Sequence, residues 1–286
     1  MANEPEQSKR MLQSQEIHSQ WRSDYLNPDM DRFYDLAFAD ILKKLQAGAA
    51  DRILDAGCGF GYHTVRLSRS NALITAVDFS DVALETARKT IGLAGIERQV
   101  HLQQADLTQL PFDDDAFNFV VSWGVIMHIP NMEAALGELA RVLKPGGVLV
   151  LCENNMHSLD VVIRERAIRI TKRVLGRPLP EFRQTLRGTE TWMQSEDGGL
   201  MVRKTNMAYL IQYLTQRGLR NIGRVAGQFT EAYTNMPTQT LKRFVYALNT
   251  FYFRRIRFAG PAIGNILYFR KSSNKLPVSG ANSVGD

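Results

Sequence analysis

Cysteine is scarce in this 286-residue chain, which contains only Cys58 and Cys152. Two thiols are too few for a disulfide framework or a four-sulfur zinc site, so we expect both to be reduced and buried and predict no metal site. Long apolar runs are also missing, because no stretch reaches the ~18 residues of a membrane span. The first 20 residues lack the apolar centre of a signal peptide, which predicts a cytoplasmic location.

Acidic residues are few in the second half of the chain. Residues 1–155 carry 14 Lys/Arg and 21 Asp/Glu, whereas residues 156–286 carry 21 and 8, so the net charges are −7 and +13. A basic half of this size favours an anionic partner, although solvated helix faces would give the same count.

Three glycines stand at alternate positions in residues 53–61, which read Ile-Leu-Asp-Ala-Gly-Cys-Gly-Phe-Gly. We interpret this stretch as the end of a first parallel strand and the turn into a helix. Glycine allows a ligand to approach the backbone, and the helix that follows directs free N–H groups at the turn. A dinucleotide-binding turn would read G-x-G-x-x-G, but Tyr62 stands where its third glycine belongs.

Short β-rich runs alternate with helical ones, which predicts an α/β fold with a Rossmann-like, doubly wound and mostly parallel sheet. We predict strands at 52–55, 73–78, 99–104, 117–122, 147–152, 221–229 and 264–270. Helices are expected at about 62–70, 80–92, 132–143, 207–217 and 238–255, with a basic amphipathic helix at 159–175 and an irregular cap or hairpin at 176–199. Asn27-Pro28-Asp29 predicts the start of an earlier helix, and Gly48 its end.

The glycine turn is followed in order by Asp78-Phe79, Asp106-Leu107 and Leu-Lys-Pro-Gly-Gly at 143–147, which we interpret as a turn before an apolar strand. Together these motifs resemble the class I S-adenosylmethionine-dependent methyltransferases, in particular their small-molecule branch, over about residues 30–155. The resemblance implies seven strands, of which the last is antiparallel. It also implies one structural domain with three parts: a tail and helical lid at 1–50, a cofactor-binding core at 51–155, and at 156–286 a basic cap inserted after the fifth strand, the last two strands and a flexible tail.

The same resemblance implies S-adenosyl-L-methionine as the cofactor. Asp78 would accept hydrogen bonds from the ribose hydroxyls, Phe79 would cover the adenine, and Asp106 would accept from its amine. Asp55 would lie near the ammonium group. The predicted cofactor-binding residues are Asp55, Gly57, Cys58, Gly59, Gly61, Asp78, Phe79, Asp106, Leu107 and Trp123.

The chain lacks the Asn/Asp-Pro-Pro-aromatic motif that enzymes methylating amide or base nitrogens often carry after the fourth strand, and it lacks a Pro-Cys nucleophile. We therefore expect a small-molecule acceptor, possibly anionic or lipid-linked, such as a sugar, a quinone precursor or another natural product, and favour O-methylation. An oxygen acceptor can need a base. His128 is the first candidate, with local packing as its alternative role, and Glu153 is the second. Candidate acceptor-binding residues are Tyr25, Arg164, Arg187 and Trp192. Arg183 and Arg203 could also pair with the phosphate or carboxylate of an anionic acceptor.

Three other functions remain open. An RNA-directed methyltransferase would explain the basic half, but no base-flipping motif supports it, so nucleic acid is disfavoured. A peripheral membrane enzyme would use residues 159–175 and 251–258 as surface contacts. A non-catalytic S-adenosylmethionine-binding protein is the third.

Overall fold

The computed structural model describes Met11, Gln13 and residues 27–163, 166, 182–195 and 198–273. Its elements are α1 (Pro28–Leu45), β1 (Arg52–Ala56), α2 (Tyr62–Leu67), β2 (Leu73–Asp78), α3 (Asp81–Ala94), β3 (Val100–Gln104), β4 (Phe117–Trp123), α4 (Met132–Val142), β5 (Leu143–Asn154), β6 (Arg183–Thr185), β7 (Gly188–Ser195), β8 (Gly198–Thr205), α5 (Met207–Thr215), β9 (Leu219–Ala226), α6 (Gln239–Arg255) and β10 (Gly264–Lys271). Single turns of 3-10 helix lie at Ser68–Ser70, Ile126–His128 and Ala232–Asn235.

Seven strands form the central sheet in the order β3-β2-β1-β4-β5-β10-β9. The first five pair in parallel, and β10 runs antiparallel to both of its neighbours. This confirms the predicted doubly wound sheet with an antiparallel last strand. The central strands are apolar on both faces because helices cover both sides. The carboxyl ends of β1 to β5 therefore meet at one edge of the sheet.

Helix starts follow the local capping chemistry that the sequence predicts. Asn27 accepts a hydrogen bond from Met30 N, and Ser80 accepts one from Ala83 N at the start of α3. One predicted end is wrong: α1 stops at Leu45 instead of reaching Gly48, because Gln46 already takes the left-handed conformation with φ of 52°.

The start of β5 also differs from the prediction. We expected a turn at 143–147 before the strand, but β5 begins at Leu143 and contains this segment. Phe117 pairs with Leu143 and Phe119 with Val148, so the segment bulges out of register. Gly146 has φ of 80°, which supplies the backbone conformation that the bulge needs.

Each face of the sheet has its own apolar core. One face packs against α1 and α6, with Phe33 and Phe38 fully buried, and the other against α4 and α5, with Leu136 and Leu210. Tyr34, which lies within the predicted lid at 1–50, is buried in the first of these cores.

The segment after β5 carries a three-stranded antiparallel sheet of β6, β7 and β8, which we call the cap hairpin (residues 183–205). Residues 159–163 are helical, but most of the predicted 159–175 helix lies outside the described residues. Tyr25 and Arg164 also lie outside them, so their predicted roles stay predictions. Within the described ranges, no helix is long and apolar enough to cross a membrane.

Candidate functional site

The glycine turn leaves β1 and is tied to the neighbouring strand. The backbone N–H groups of Gly57 and Cys58 both donate to Val77 O, each at 2.8 Å. Gly57 has φ of 85°, and a Cβ at this position would overlap the side chain of Val125. Only glycine satisfies both constraints, so Gly57 shapes the turn itself.

Gly59 differs from Gly57 in what surrounds it. Apart from its two chain neighbours, a Cβ built on Gly59 would meet no atom of the described residues within 4 Å, so this part of the structure leaves open space beside the turn. Gly59 N donates to Asp78 Oδ2 at 2.8 Å, and Ser80 N donates to Asp78 Oδ1 at 2.9 Å. An open cradle with a carboxylate at its base fits the ribose of a nucleoside cofactor.

Asp55 lies beneath the same turn and is almost fully buried. Thr64 Oγ1 donates to Asp55 Oδ2 at 2.6 Å, a contact that sequence reasoning missed. Burial, opposed by the hydrogen bond from Thr64 and assisted by the negative charge of Asp78, raises the pKa of Asp55 to about 7. A cation placed beside Asp55 would favour its ionised form. The turn therefore suits a ligand with a positively charged group.

The end of β3 carries the predicted adenine site. Asp106 Oδ1 accepts from Thr108 N at 2.9 Å and from Thr108 Oγ1 at 2.7 Å, so this carboxylate also shapes its own turn. Leu107 is buried, while Phe79 at the end of β2 is half-buried. Their roles toward adenine stay predictions.

Trp123 ends β4 inside a cluster of rings. Its ring centroid lies 5.1 Å from that of Phe38, 5.6 Å from His63 and 6.0 Å from Tyr34. Burial lowers the pKa of His63 to about 3, and the charge of Arg66 adds to this effect, so the imidazole is neutral and packs as an aromatic ring. The cluster holds Trp123 against the core at the edge where β4 ends.

Glu153, the second base candidate, ends β5 and is 1% exposed. The N–H of Ile126 donates to Glu153 Oε1 at 3.1 Å. Oε2 has no hydrogen-bond partner among the described residues. Burial raises the pKa of Glu153 to about 8, although backbone N–H groups and the charge of Arg203 oppose the shift. The carboxyl is therefore mostly protonated at neutral pH.

His128, the first base candidate, lies in the loop after β4 (residues 124–130, the post-β4 loop). Its Nδ1 is 3.1 Å from Met201 O on β8. Because a carbonyl only accepts, we assign the proton to Nδ1. Burial lowers the pKa of His128 to about 4, and the nearby Arg203 contributes to the lowering. The imidazole is neutral at pH 7 and a weak proton acceptor.

Arg203 on β8 joins the cap hairpin to the post-β4 loop. It is fully buried and pairs with Glu190 at 3.0 Å. Its guanidinium also donates to the carbonyl oxygens of Ile126, Ile129 and Pro130 at 3.0–3.3 Å. The sequence alone predicts Arg203 only as one of several arginines for an anionic acceptor. Glu190 pairs with Arg203 across β7 and β8. If the two β-rich runs at 188–195 and 198–205 are aligned as an antiparallel hairpin, the acid and the arginine lie opposite each other, and this alignment could have predicted the pair.

Two predicted acceptor-binding residues also lie at this hairpin. Arg187 Nε donates to Glu133 Oε1 at 2.7 Å, and the hydroxyl of Tyr209 donates to the same oxygen at 2.6 Å. Trp192 pairs with Met201 across β7 and β8 and shares the hairpin face that carries Glu190, because side chains two residues apart on a strand point the same way. The acceptor roles of Arg187 and Trp192 stay predictions.

Comparison with known proteins agrees with this geometry. Residues 54–151 match the family model described as a methyltransferase domain. A demethylmenaquinone methyltransferase from Clavibacter sepedonicus is 43% identical over 117 residues, which make up 41% of this chain and 46% of the relative. The methyltransferase GfsG from Streptomyces halstedii is 32% identical over 125 residues, or 43% of this chain and 42% of that one.

The crystal structure of the cyclase SpnF has a TM-score of 0.55 with 19% identity, covering 84% of this chain and 82% of SpnF. At this identity the likeness concerns the fold alone. The matched region spans about half the length of the two curated relatives. The family model, over residues 54–151, contains the glycine turn and the carboxyl ends of β1 to β4, and it stops before Glu153, the cap hairpin and α6.

Proposed function

We propose that this chain, which carries a class I S-adenosylmethionine-dependent methyltransferase domain, is an enzyme that transfers a methyl group from S-adenosylmethionine to a small-molecule acceptor. The observation that carries the proposal is the glycine turn, which has open space beside Gly59 and whose Gly59 N–H donates to the carboxylate of Asp78. A dehydrogenase turn has different glycine spacing. The family match over 54–151 contains both residues.

The residues around the turn fit the cofactor group by group. Asp78 would accept from the ribose hydroxyls while it holds Gly59 N, and buried Asp55 would face the ammonium group. Bound there, S-adenosylmethionine would supply a reactive methyl group on a positively charged sulfur. Much of the work left to the protein is to orient the acceptor and exclude water. The ring cluster around Trp123 supports this role, because it keeps one wall of the site apolar.

The acceptor that we favour is a quinone precursor. The demethylmenaquinone methyltransferase that resembles the core supports this choice. Oxygen is the favoured atom, with an activated ring carbon as the alternative. Either atom loses a proton as it gains a methyl group, so a base in the site would assist both reactions.

Glu153 is the better base candidate of the two, because a base works best when its pKa is near the working pH. The pKa of Glu153 is raised by burial to about 8, whereas that of His128 is lowered by burial to about 4. The second oxygen of Glu153 has no partner in the described part of the chain, so in the ionised fraction this oxygen is available to take up a proton from the acceptor. His128 would instead hold the post-β4 loop against Met201.

Calorimetry with S-adenosylhomocysteine tests the cofactor assignment. Binding should be micromolar, and Asp78→Ala should weaken it by ~1.5–3 kcal/mol, since a carboxylate shared by two hydroxyls is lost. Asp113→Ala, a change at an exposed acid before β4, is the matched control and should bind as the wild type. Binding of NADH without binding of S-adenosylhomocysteine would contradict the proposal.

A panel of acceptors tests the reaction. Demethylated quinones in their reduced hydroquinone form, a catechol, a sugar and an RNA would each be incubated with S-adenosylmethionine, and methylated product identified by mass spectrometry. We expect product with the hydroquinone and none with the RNA. Product with RNA alone would assign the protein to the nucleic-acid class.

A further inference from the structure

Helix α6 presents aromatic side chains to solvent. Phe244 and Phe251 are 69% and 56% exposed. They lie seven residues apart, about two turns, and so share one side of the helix. The opposite side is buried, with Phe253 packed edge-on against Phe33 of α1 at 5.5 Å between ring centroids. The outward side of α6 therefore keeps two large phenyl groups in water.

The exposed apolar surface continues past the helix. Phe258 is 67% exposed and follows α6 within three residues. Leu159 N donates to Pro261 O at 2.9 Å, so the helical turn at 159–163 lies beside this loop. Leu159 and Ile163 are themselves 46% and 57% exposed. We call Phe244, Phe251 and Phe258 the aromatic face.

Positive charge accompanies the aromatic face, and only part of it is balanced by acidic side chains. Residues 232–273 contain seven Lys/Arg and no Asp/Glu. Arg243 and Arg257 pair with acids of α1, but within the described ranges Arg254 and Arg255 have no ion pair. Both are exposed in the last turn of α6. Exposed phenyl rings beside unpaired arginines match the interface of an anionic lipid bilayer, where rings enter the headgroup region and arginines meet phosphates.

The aromatic face borders the edge of the sheet that carries the candidate site. Gly264, the first residue of β10, pairs with Asn154, and Asn155 N donates to Ile263 O at 2.7 Å. The loop with Phe258 therefore reaches the carboxyl end of β5, next to Glu153. A bilayer in contact with this loop would lie close to the region where we expect the acceptor.

We propose that the aromatic face docks the protein onto an anionic lipid bilayer, so that the site receives an acceptor dissolved in the membrane. The docking itself stands on α6 and its loop. Only the supply of the acceptor rests on the proposed function.

Sedimentation with vesicles tests the docking on the full chain. Vesicles of phosphatidylcholine, with and without phosphatidylglycerol, would be used at low and high salt. We expect binding to the anionic vesicles that weakens as salt rises. Phe244→Ser with Phe251→Ser should weaken binding at least about tenfold, since two rings no longer enter the interface. Arg254→Glu with Arg255→Glu should weaken it by at least about fivefold per arginine.

Leu93→Ser is the matched control, because Leu93 on α3 is 92% exposed and lies outside the aromatic face. It should bind vesicles as the wild type does. Calorimetry with S-adenosylhomocysteine should give the same affinity for all variants, which verifies their folding and separates docking from cofactor binding.

Three results would overturn the docking. The wild type could fail to sediment with anionic vesicles at low salt. Leu93→Ser could lose binding as much as the phenylalanine variant does. The wild type could instead self-associate without binding vesicles and lose that association when Phe244 and Phe251 are replaced, which would assign the face to a second copy of the chain. Vesicle binding without any methyl transfer would refute the proposed function and leave the docking intact.

Discussion

Replacing Glu153 by glutamine should remove a pH dependence from the folding stability. The side chain is 1% exposed, and burial raises its pKa to about 8 from an ordinary 4.5. Glutamine has nearly the same shape and keeps an oxygen for the 3.1 Å hydrogen bond from Ile126 N. It has no titrating proton, so the comparison isolates the ionisation of this one carboxyl.

The direction in which stability changes with pH follows from proton binding to Glu153 in the folded and unfolded states. Between the unfolded and folded pKa values, the folded protein holds a proton on Glu153 that the unfolded chain has released. The contribution of Glu153 is therefore complete below pH 4.5 and is lost as pH rises through about 8. One proton corresponds to about 1.4 kcal/mol per pH unit. From pH 5 to pH 7 the wild type should lose about 2–3 kcal/mol more of its free energy of unfolding than Glu153→Gln does.

Urea unfolding at pH 5, 6 and 7 measures this difference. Glu138→Gln is the control, because its hydrogen bonds with Arg141 lower the pKa of Glu138, which is then ionised in both states over this range. The free energies of unfolding of Glu138→Gln and the wild type should differ by the same amount at all three pH values. If the Glu153→Gln and wild-type curves are parallel, the carboxyl titrates near its ordinary pKa and the reasoning is refuted.

The same variant tests the base. Glu153→Gln should lower kcat by about 10²–10⁴, the usual effect of removing a positioned proton acceptor, without changing the affinity for S-adenosylhomocysteine. His128→Ala should lower kcat less than about tenfold if this residue only holds the loop. The opposite order would return the role of base to His128.

Affinity for S-adenosylmethionine, measured by calorimetry, should rise with pH below about 7 and level off above it, because the buried Asp55 must lose its proton to face a cation. Asp55→Asn should remove this pH dependence. Gly59→Ala should weaken cofactor binding and, because Gly59 has φ of 52°, should also cost some stability. Gly57→Ala should lower the urea midpoint further, because its φ is 85° and its added Cβ overlaps Val125; equal losses of stability would contradict the division of roles between the two glycines. Arg203→Met should cost about 3–5 kcal/mol in urea unfolding by leaving a buried carboxylate unpaired. Adding Glu190→Leu should recover much of that loss, and additive losses in the double variant would count against a coupled pair.

Interactions between residues close in sequence were sufficient to predict most of the helices and strands. Asn27 and Ser80 cap helices because a short polar side chain next to a helical run can satisfy its own backbone, which needs no tertiary information. The alternating strands and helices and the Asp55-to-Gly61 turn likewise depend on neighbours within a few residues. The predicted parallel sheet and the antiparallel last strand were confirmed.

Pairings between distant residues could be decided only by the tertiary structure. The sequence offered Arg187 and Arg203 as free cations for an acceptor, yet folding brings them to Glu133 and Glu190. The protonation of Glu153 follows from burial by elements far away in the chain, because desolvation depends on what surrounds a carboxyl in space and not on its neighbours in sequence. For the same reason the sequence could show that arginines and phenylalanines occur together in α6, but only the packed structure determined which of them face water.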